Sequence, residues 1–415
     1  MPETSFVRDV AIIGGAGHVG LPLALMFADV GLQTVIYDTN KETVETIRSG
    51  RMPFSEEGGQ QTLERVRAGG FLAVESSPDL IAECEFLVLV IGTPVDEHLN
   101  PRFSAIEKAL DACTEYLRDG QTLILRSTVF PGISEHIQQH FRKRGLAIGV
   151  AFCPERVTQG HSLREFREIP QIISAFDPST LARVRALFGR FIGDLIEMSP
   201  MEAELCKLMN NAWRYIQFAI VNQFYMIATQ HALDFDKILH GCRFKYPRMS
   251  DAPGPGFAAG PCLVKDTMQL AAFSQNHFVL GHSAMLINEG LPSHLVEMTG
   301  RQVDLSDKTV GILGMAFKAE SDDPRDSLSY KLRKLLLLAS DRVLCSDPYV
   351  KDNSFVSIEE LVASSDVVFI GAPHRAYRQL RLRPGKILVD VWSCVEVEPQ
   401  EPLAAAAGSS KTEGD

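Results

Sequence analysis

The sequence predicts an α/β protein in which two doubly wound parallel-sheet units are joined by one long central helix. Three observations carry this. Short apolar runs alternate with helical stretches to about residue 196, a breaker-free helical stretch of more than thirty residues follows Ser199, and the strand rhythm resumes near Lys308. Strands that alternate with helices along one chain pair in parallel, because the crossover connection a parallel pair needs is usually a helix.

In chain order, "DVAIIGG" reads as the first strand. "HVGLPLALMFADVG" has apolar residues at helical spacing and ends on Gly31, and "QTVIYD" follows as the second strand. "FLAVE", "FLVLVIGTP", "TLILRSTV", "GLAIGVAFCPE" and "PQIISAF" extend the same sheet. Ser199 as N-cap, Pro200 at the first helical position and acidic residues in the first turn start the long helix. Its circumference is largely apolar, so it is expected to be buried on several sides, as a spine between domains and part of a subunit interface. "KTVGILGMAF", "LSYKLRKLLLLAS", "DRVLCSDPYV", "IEELVASSDVVFIGAP" and "KILVDVW" then form the second α/β unit. The expected division is 1–196, 197–300 and 301–398, with a tail at 399–415 too poor in large apolar residues to order itself.

Composition narrows the function. A net charge of -11 disfavours nucleic acid as the main partner. Apolar runs well short of the roughly 18 residues a spanning helix needs exclude a membrane protein, and the N-terminus lacks a signal pattern, so a cytoplasmic protein is expected. The eight cysteines are scattered without a C-x-x-C pair, which argues against zinc and against a disulfide framework; no metal is expected.

At the first strand-to-helix turn, Gly15, Gly17 and Gly20 spell G-x-G-x-x-G. Glycines there allow a tight turn and close backbone approach, and the helix N-terminus offers free N–H groups to a pyrophosphate. Asp38 ends the second strand about 20 residues on, where a carboxylate accepts from ribose hydroxyls and repels a 2′-phosphate, favouring NAD over NADP. Both α/β units thus read as Rossmann-like. A rival spelling, Gly14, Gly17 and Gly20, needs a Tyr-x-x-x-Lys pair. Tyr37 with Lys41 falls at the adenosine side and Tyr330 with Lys334 deep in the second unit, so neither reaches a nicotinamide.

One further stretch is chemical. "PGPGFAAGPCLVKD", Pro253 to Asp266, sets Cys262 after a glycine- and proline-rich turn and ahead of Lys265 and Asp266. Together with "GAGHVGLPLA", "GTPVD", "RSTVFPG", "FCPERVTQG", "AELCKLMNNAWR" and "GILGMAFKAESDDPRDS", it resembles the UDP-glucose/GDP-mannose dehydrogenase superfamily, block by block and in the same order to about residue 395.

The resemblance implies a four-electron oxidation of a nucleotide-sugar C6 alcohol to a carboxylate with two NAD, and Cys262 as the nucleophile that forms a thiohemiacetal and then a thioester. It implies Lys207 and Asn211, four apart on one helix face, as oxyanion stabilisers. Asp266 would handle the hydrolytic water, and Glu155 and Thr128 proton transfer. Lys265 and Lys207 are expected to lower the Cys262 pKa. Around the cofactor it implies Gly15, Gly17, His18, Val19, Gly20, Asp38, Thr93, Pro94, Thr128 and Lys265. Around the UDP-sugar it implies Glu155, Arg156, Lys207, Asn211, Arg214, Lys318 and Arg325, the last two at the nucleotide half. Family members pair through the long helix, so at least a homodimer is expected.

The spelling departs from the family in one place. The loop from Gly256 to Cys262 is about one residue longer than "GFGGSC" or "GVGGHC", with Ala258 and Ala259 where glycine is usual. "PER", "KYPR" and "PGPG" resemble the branch that acts on UDP-N-acetylhexosamines (ManNAc or GlcNAc), whereas "CLVKD" resembles the UDP-glucose 6-dehydrogenase branch. Two other functions fit parts of the chain: a non-catalytic NAD and nucleotide-sugar binding protein, and a two-electron hydroxyacid dehydrogenase. The first would require loss of Cys262, Lys207, Asn211 or Asp266, all present; the second leaves the second α/β unit and the cysteine block unexplained.

Overall fold

The computed structural model describes residues 6–93 and 104–396, so Pro94 and the 399–415 tail lie outside the described residues. The first unit runs β1 (Arg8–Ile13), α1 (Gly20–Asp29), β2 (Thr34–Tyr37), α2 (Lys41–Arg48), α3 (Gly59–Ala68), β3 (Leu72–Glu75), β4 (Cys84–Leu89), α4 (Ser104–Cys113), β5 (Thr122–Leu125), α5 (Ile133–Lys143), β6 (Gly149–Phe152), α6 (Ser162–Glu168), β7 (Gln171–Ile173), α7 (Pro178–Phe188) and β8 (Leu195–Glu197). The helical region is α8 (Pro200–Gln230), α9 (Phe235–Arg243), α10 (Leu263–Phe273) and α11 (Val279–Gly300). The last unit is β9 (Thr309–Leu313), α12 (Leu328–Ala339), β10 (Arg342–Ser346), α13 (Ile358–Ser364), β11 (Val367–Ile370) and β12 (Ile387–Val389).

The first sheet has six parallel strands in the order β3-β2-β1-β4-β5-β6. β1 sits between β2 and β4, with Val10, Ala11 and Ile12 fully buried, because helices cover both faces of the sheet and neither can be polar. Chain order reverses at β1/β4, which opens a crevice beyond the carboxyl ends of those two strands. The "PQIISAF" segment does not join this sheet. Ser174 meets the outer edge of β6 antiparallel, trading bonds with Phe152, so the edge is capped and β7 pairs only with β8. The second sheet has four parallel strands, β10-β9-β11-β12.

The expected long helix is α8, 31 residues from Pro200. Its start is fixed as a capping box: the Glu202 carboxylate accepts from Ser199 N at 2.8 Å, a feature worth about 1 kcal/mol. α10 and α11 pack along α8, and α11 also packs on α12, so the spine is shared between the two sheets. Among the described residues no helix is long and apolar enough to cross a membrane.

Candidate active site

The glycine turn lies at the mouth of the β1/β4 crevice. A Cβ on Gly20 would come 2.7 Å from the Gly15 Cα, so α1 packs onto the turn only because both are glycine. Gly17, by contrast, is exposed and has nothing within 4 Å of where a side chain would start, which leaves its backbone open to a ligand. Val19 is the N-cap of α1. Asp38 Oδ2 accepts from Ala16 N at 3.0 Å, tying the end of β2 to the turn. His18 stacks on Phe54 with ring centroids 4.1 Å apart, and burial holds its imidazole below the usual range against the pull of Asp323 and Asp322. Gly17, His18, Asp38 and Phe54 line a cleft of about 420 Å³, closed on the far side by Asp322, Asp323, Pro324 and Arg325 of the last unit. An open backbone cradle at a helix N-terminus with a carboxylate beyond it fits a dinucleotide.

Arg325, expected at the nucleotide half of the substrate, lines this cleft. Asp323, only 3% exposed, fixes the guanidinium through a 2.6 Å bond, in the wall of the cofactor cleft. Asp322, Asp323 and Phe54 were not singled out from sequence, and Asp323 in "DDPRD" was the available signal.

Cys262 is the N-cap of α10, so Lys265 and Asp266 follow within the first turn and a half. Asp266 is fully buried, and Asn211 Nδ2 donates to its Oδ2 at 2.5 Å from α8. Lys265 Nζ stands 3.4 Å from Asp266 Oδ1 and donates to Thr93 Oγ1 at 3.2 Å. Thr93 in turn donates to the Thr128 carbonyl at 2.7 Å. That chain binds the cysteine helix to the ends of β4 and β5, beside the crevice. Lys207, Lys265 and Arg325 all act on the Cys262 charge, so the structure brings them together.

The thiol does not behave as the lysines alone suggest. Solvent reaches Cys262, yet the cleft walls crowd it, and this desolvation, helped by the Asp266 carboxylate, raises its pKa above the ordinary value. Lys265, Lys207 and Arg325 pull the other way and are outweighed. Around Lys207 and Asn211 on α8, Leu208 is buried, whereas Trp213 is 63% exposed on the outer face of the helix.

Glu155 is engaged at both oxygens. Arg126 donates to Oε2 through two nitrogens, at 2.9 and 2.5 Å, and the Arg156 and Val157 amides donate to Oε1 at 2.7 and 2.9 Å. With its acceptor positions filled, this carboxylate has no free lone pair for a substrate proton. Arg126, which sequence reasoning missed, is fully buried between the Phe166 and Phe188 rings, each centroid 5.4 Å away. The Arg156 guanidinium is bonded to the Pro170 carbonyl, and Lys318 Nζ donates to Gln159 O at 2.5 Å across the two sheet units. Arg214 is exposed on α8 and lies near enough to Lys318 to lower its pKa, a smaller effect than burial.

Comparison with known proteins adds the decisive match. Models of the UDP-glucose/GDP-mannose dehydrogenase family fit the chain three times: the NAD binding domain over residues 8–192, the central domain over 201–289 and the UDP binding domain over 311–397. The chain belongs to this family. It is an NAD-dependent nucleotide-sugar dehydrogenase. The UDP-N-acetyl-D-mannosamine dehydrogenase of Methanococcus aeolicus is 28% identical over 90% of this chain and 86% of its own length. A UDP-D-ManNAc dehydrogenase structure from Pyrococcus horikoshii superposes with a TM-score of 0.87 at 26% identity, covering 94% of this chain and 97% of that one. A UDP-glucose dehydrogenase structure from Pyrobaculum islandicum gives 0.86 at 26% identity, over 94% and 95%.

Proposed function

We propose that the protein oxidises the C6 alcohol of a UDP-N-acetylhexosamine, ManNAc before GlcNAc, to the uronic acid, with Cys262 as covalent nucleophile. The observation that carries the chemistry is the placement of Cys262: at the N-terminus of α10, reached by Lys207, Lys265 and Arg325, and one turn from an Asp266 bonded to Asn211. The sugar rests on the relatives, several of which are UDP-N-acetyl-D-mannosamine dehydrogenases. UDP-glucose is the second reading, favoured by the near-equal fit to a UDP-glucose dehydrogenase.

Gly17 and Asp38 at the glycine turn would hold NAD, which would supply the hydride acceptor that each of the two oxidations needs. The alcohol first loses a hydride from C6 and its hydroxyl proton to solvent, becoming the aldehyde. Cys262 Sγ then bonds to the aldehyde carbon, giving a thiohemiacetal whose oxygen lies toward Lys207 and Asn211. Loss of the second hydride together with the hydroxyl proton leaves a thioester; water, held by Asp266, then adds to its carbonyl carbon and the C–S bond breaks, releasing the carboxylate, with one proton returning to Cys262 Sγ and one going to solvent. Glu155 acts as counter-ion to Arg126 and shapes the loop after β6. A panel of UDP-ManNAc, UDP-GlcNAc, UDP-glucose, UDP-galactose and GDP-mannose tests the reading. Two NADH per sugar and fastest turnover of UDP-ManNAc are expected; one NADH per sugar would refute the covalent route.

Cofactor choice is testable at Asp38. Asp38→Asn keeps an acceptor for Ala16 N but removes the charge that repels a 2′-phosphate. The kcat/KM ratio of NADP to NAD is expected to rise roughly tenfold or more, a repulsion on the order of 1.4 kcal/mol. An unchanged ratio would assign Asp38 to turn structure alone.

Assembly follows from α8. Trp213, Ile220, Phe224 and Ile227 are 63%, 46%, 46% and 53% exposed along one flank, more apolar surface than a single chain covers. A second copy of the helix is the proposed cover, giving at least a homodimer. Phe224→Asp is expected to dissociate it, since an unpaired buried charge costs several kcal/mol. Light scattering that finds the unmutated protein monomeric at micromolar concentration would remove the interface.

A further inference from the structure

The loop that delivers Cys262 is held by a side chain with no role so far. Asn222 lies on α8, three turns beyond Asn211, and is fully buried. Both of its donors and its oxygen are engaged: Oδ1 accepts from Gly256 N at 2.9 Å, while Nδ2 donates to Gly256 O at 3.0 Å and to Asn288 Oδ1 of α11 at 2.9 Å. Asn288, also fully buried, donates onward to Tyr215 O at 3.0 Å. The orientation of the Asn222 amide is thereby fixed, because only an oxygen can accept from the Gly256 N–H.

Gly256 is suited to this grip. Its φ of +148° suits glycine, and a Cβ there would come 2.2 Å from the Trp392 ring. The backbone is therefore trapped between α8 and an indole that follows β12, and both of its polar groups are removed from water. Without Asn222 they would be buried and unpaired. Six residues later the chain reaches Cys262, after Ala258 has packed among Tyr215, Ile216 and Ala219 and Gly260 N has bonded to Asp326 O at 3.2 Å.

From this geometry we infer that Asn222 is a positioning residue for the reaction: through Gly256 it sets where the Cys262 thiol stands relative to Asn211 and Lys207. The inference rests on Cys262 being the nucleophile. Asn222 sits on α8 with Lys207 and Asn211, so the helix that carries the oxyanion groups also fixes the nucleophile's loop, in one rigid frame. Displacing a reacting atom by an ångström costs on the order of a hundredfold in rate.

Asn222→Asp is the sharpest test. It keeps an acceptor for Gly256 N, loses both donors and sets a carboxylate oxygen against two other acceptors. With the UDP-sugar that the wild type turns over fastest, kcat is expected to fall roughly tenfold to a hundredfold, while KM for the sugar and the NAD dissociation constant stay within about twofold. The rate of Cys262 alkylation by iodoacetamide, followed by peptide mass spectrometry across pH, should shift as well. A folded Asn222→Asp enzyme with wild-type kcat and a wild-type alkylation profile would overturn the inference. In the unmutated protein, slow hydrogen exchange of the Gly256 amide is expected, and unprotected exchange there overturns it without any variant having to fold. Cys262→Ala run in parallel separates the two claims: if that variant still forms acid, the nucleophile assignment fails first.

Discussion

In the Cys262→Ala variant, acid formation is expected to fall by at least about three orders of magnitude, the scale seen when an enzyme loses its covalent nucleophile, with NAD affinity unchanged. Affinity should hold because the cleft beneath the glycine turn is lined by Gly17, His18, Asp38 and Arg325 and not by Cys262. Acid formed at the wild-type rate would remove the covalent route altogether. The wild-type thiol should also show its environment. Burial and Asp266 raise its pKa, so at neutral pH the protonated form dominates, and alkylation should level off at higher pH than it does for an ordinary thiol. Asp266→Asn removes a raising charge and should move that profile to lower pH; Lys207→Ala removes a lowering one and should move it higher.

The parts of this site that are local in sequence were legible in it. The turn at Gly15, Gly17 and Gly20 and the carboxylate at Asp38 lie within one strand-helix-strand unit, where periodicity and spacing fix the geometry. Lys207 and Asn211 were legible because four residues on a helix define a face. The losses came where contact is made across the chain. Nothing in "PGPGFAAGPC" announces that a helix begins at Leu263, since the glycines and prolines ahead of it read only as loop. The Ala258 that departs from the family's glycine has a packing reason, its methyl group filling the seam between α8 and α11 at 3% exposure. The place of Arg325 in the wall beside the glycine turn was not legible, because its partner Asp323 carries no sign of which side of the cleft it faces.

Glu155 is the sharpest such case, because its partner Arg126 lies 29 residues away at the end of a different strand. Removing the carboxylate in Glu155→Ala would strand a fully buried guanidinium, at a cost of about 3–5 kcal/mol. The first unit should then melt on the order of 10 °C lower. A proton-transfer role predicts a different pattern: stability held, kcat reduced and one limb of the pH profile lost. The double variant Arg126→Met with Glu155→Leu decides between them. Both charges leave together, and the methionine enters a site already walled by Phe166 and Phe188, so stability should return to near wild type. If acid formation returns with it, the pair is a buried strut beneath the loop after β6. If stability returns and activity does not, the carboxylate takes part in the reaction and the counter-ion assignment is wrong.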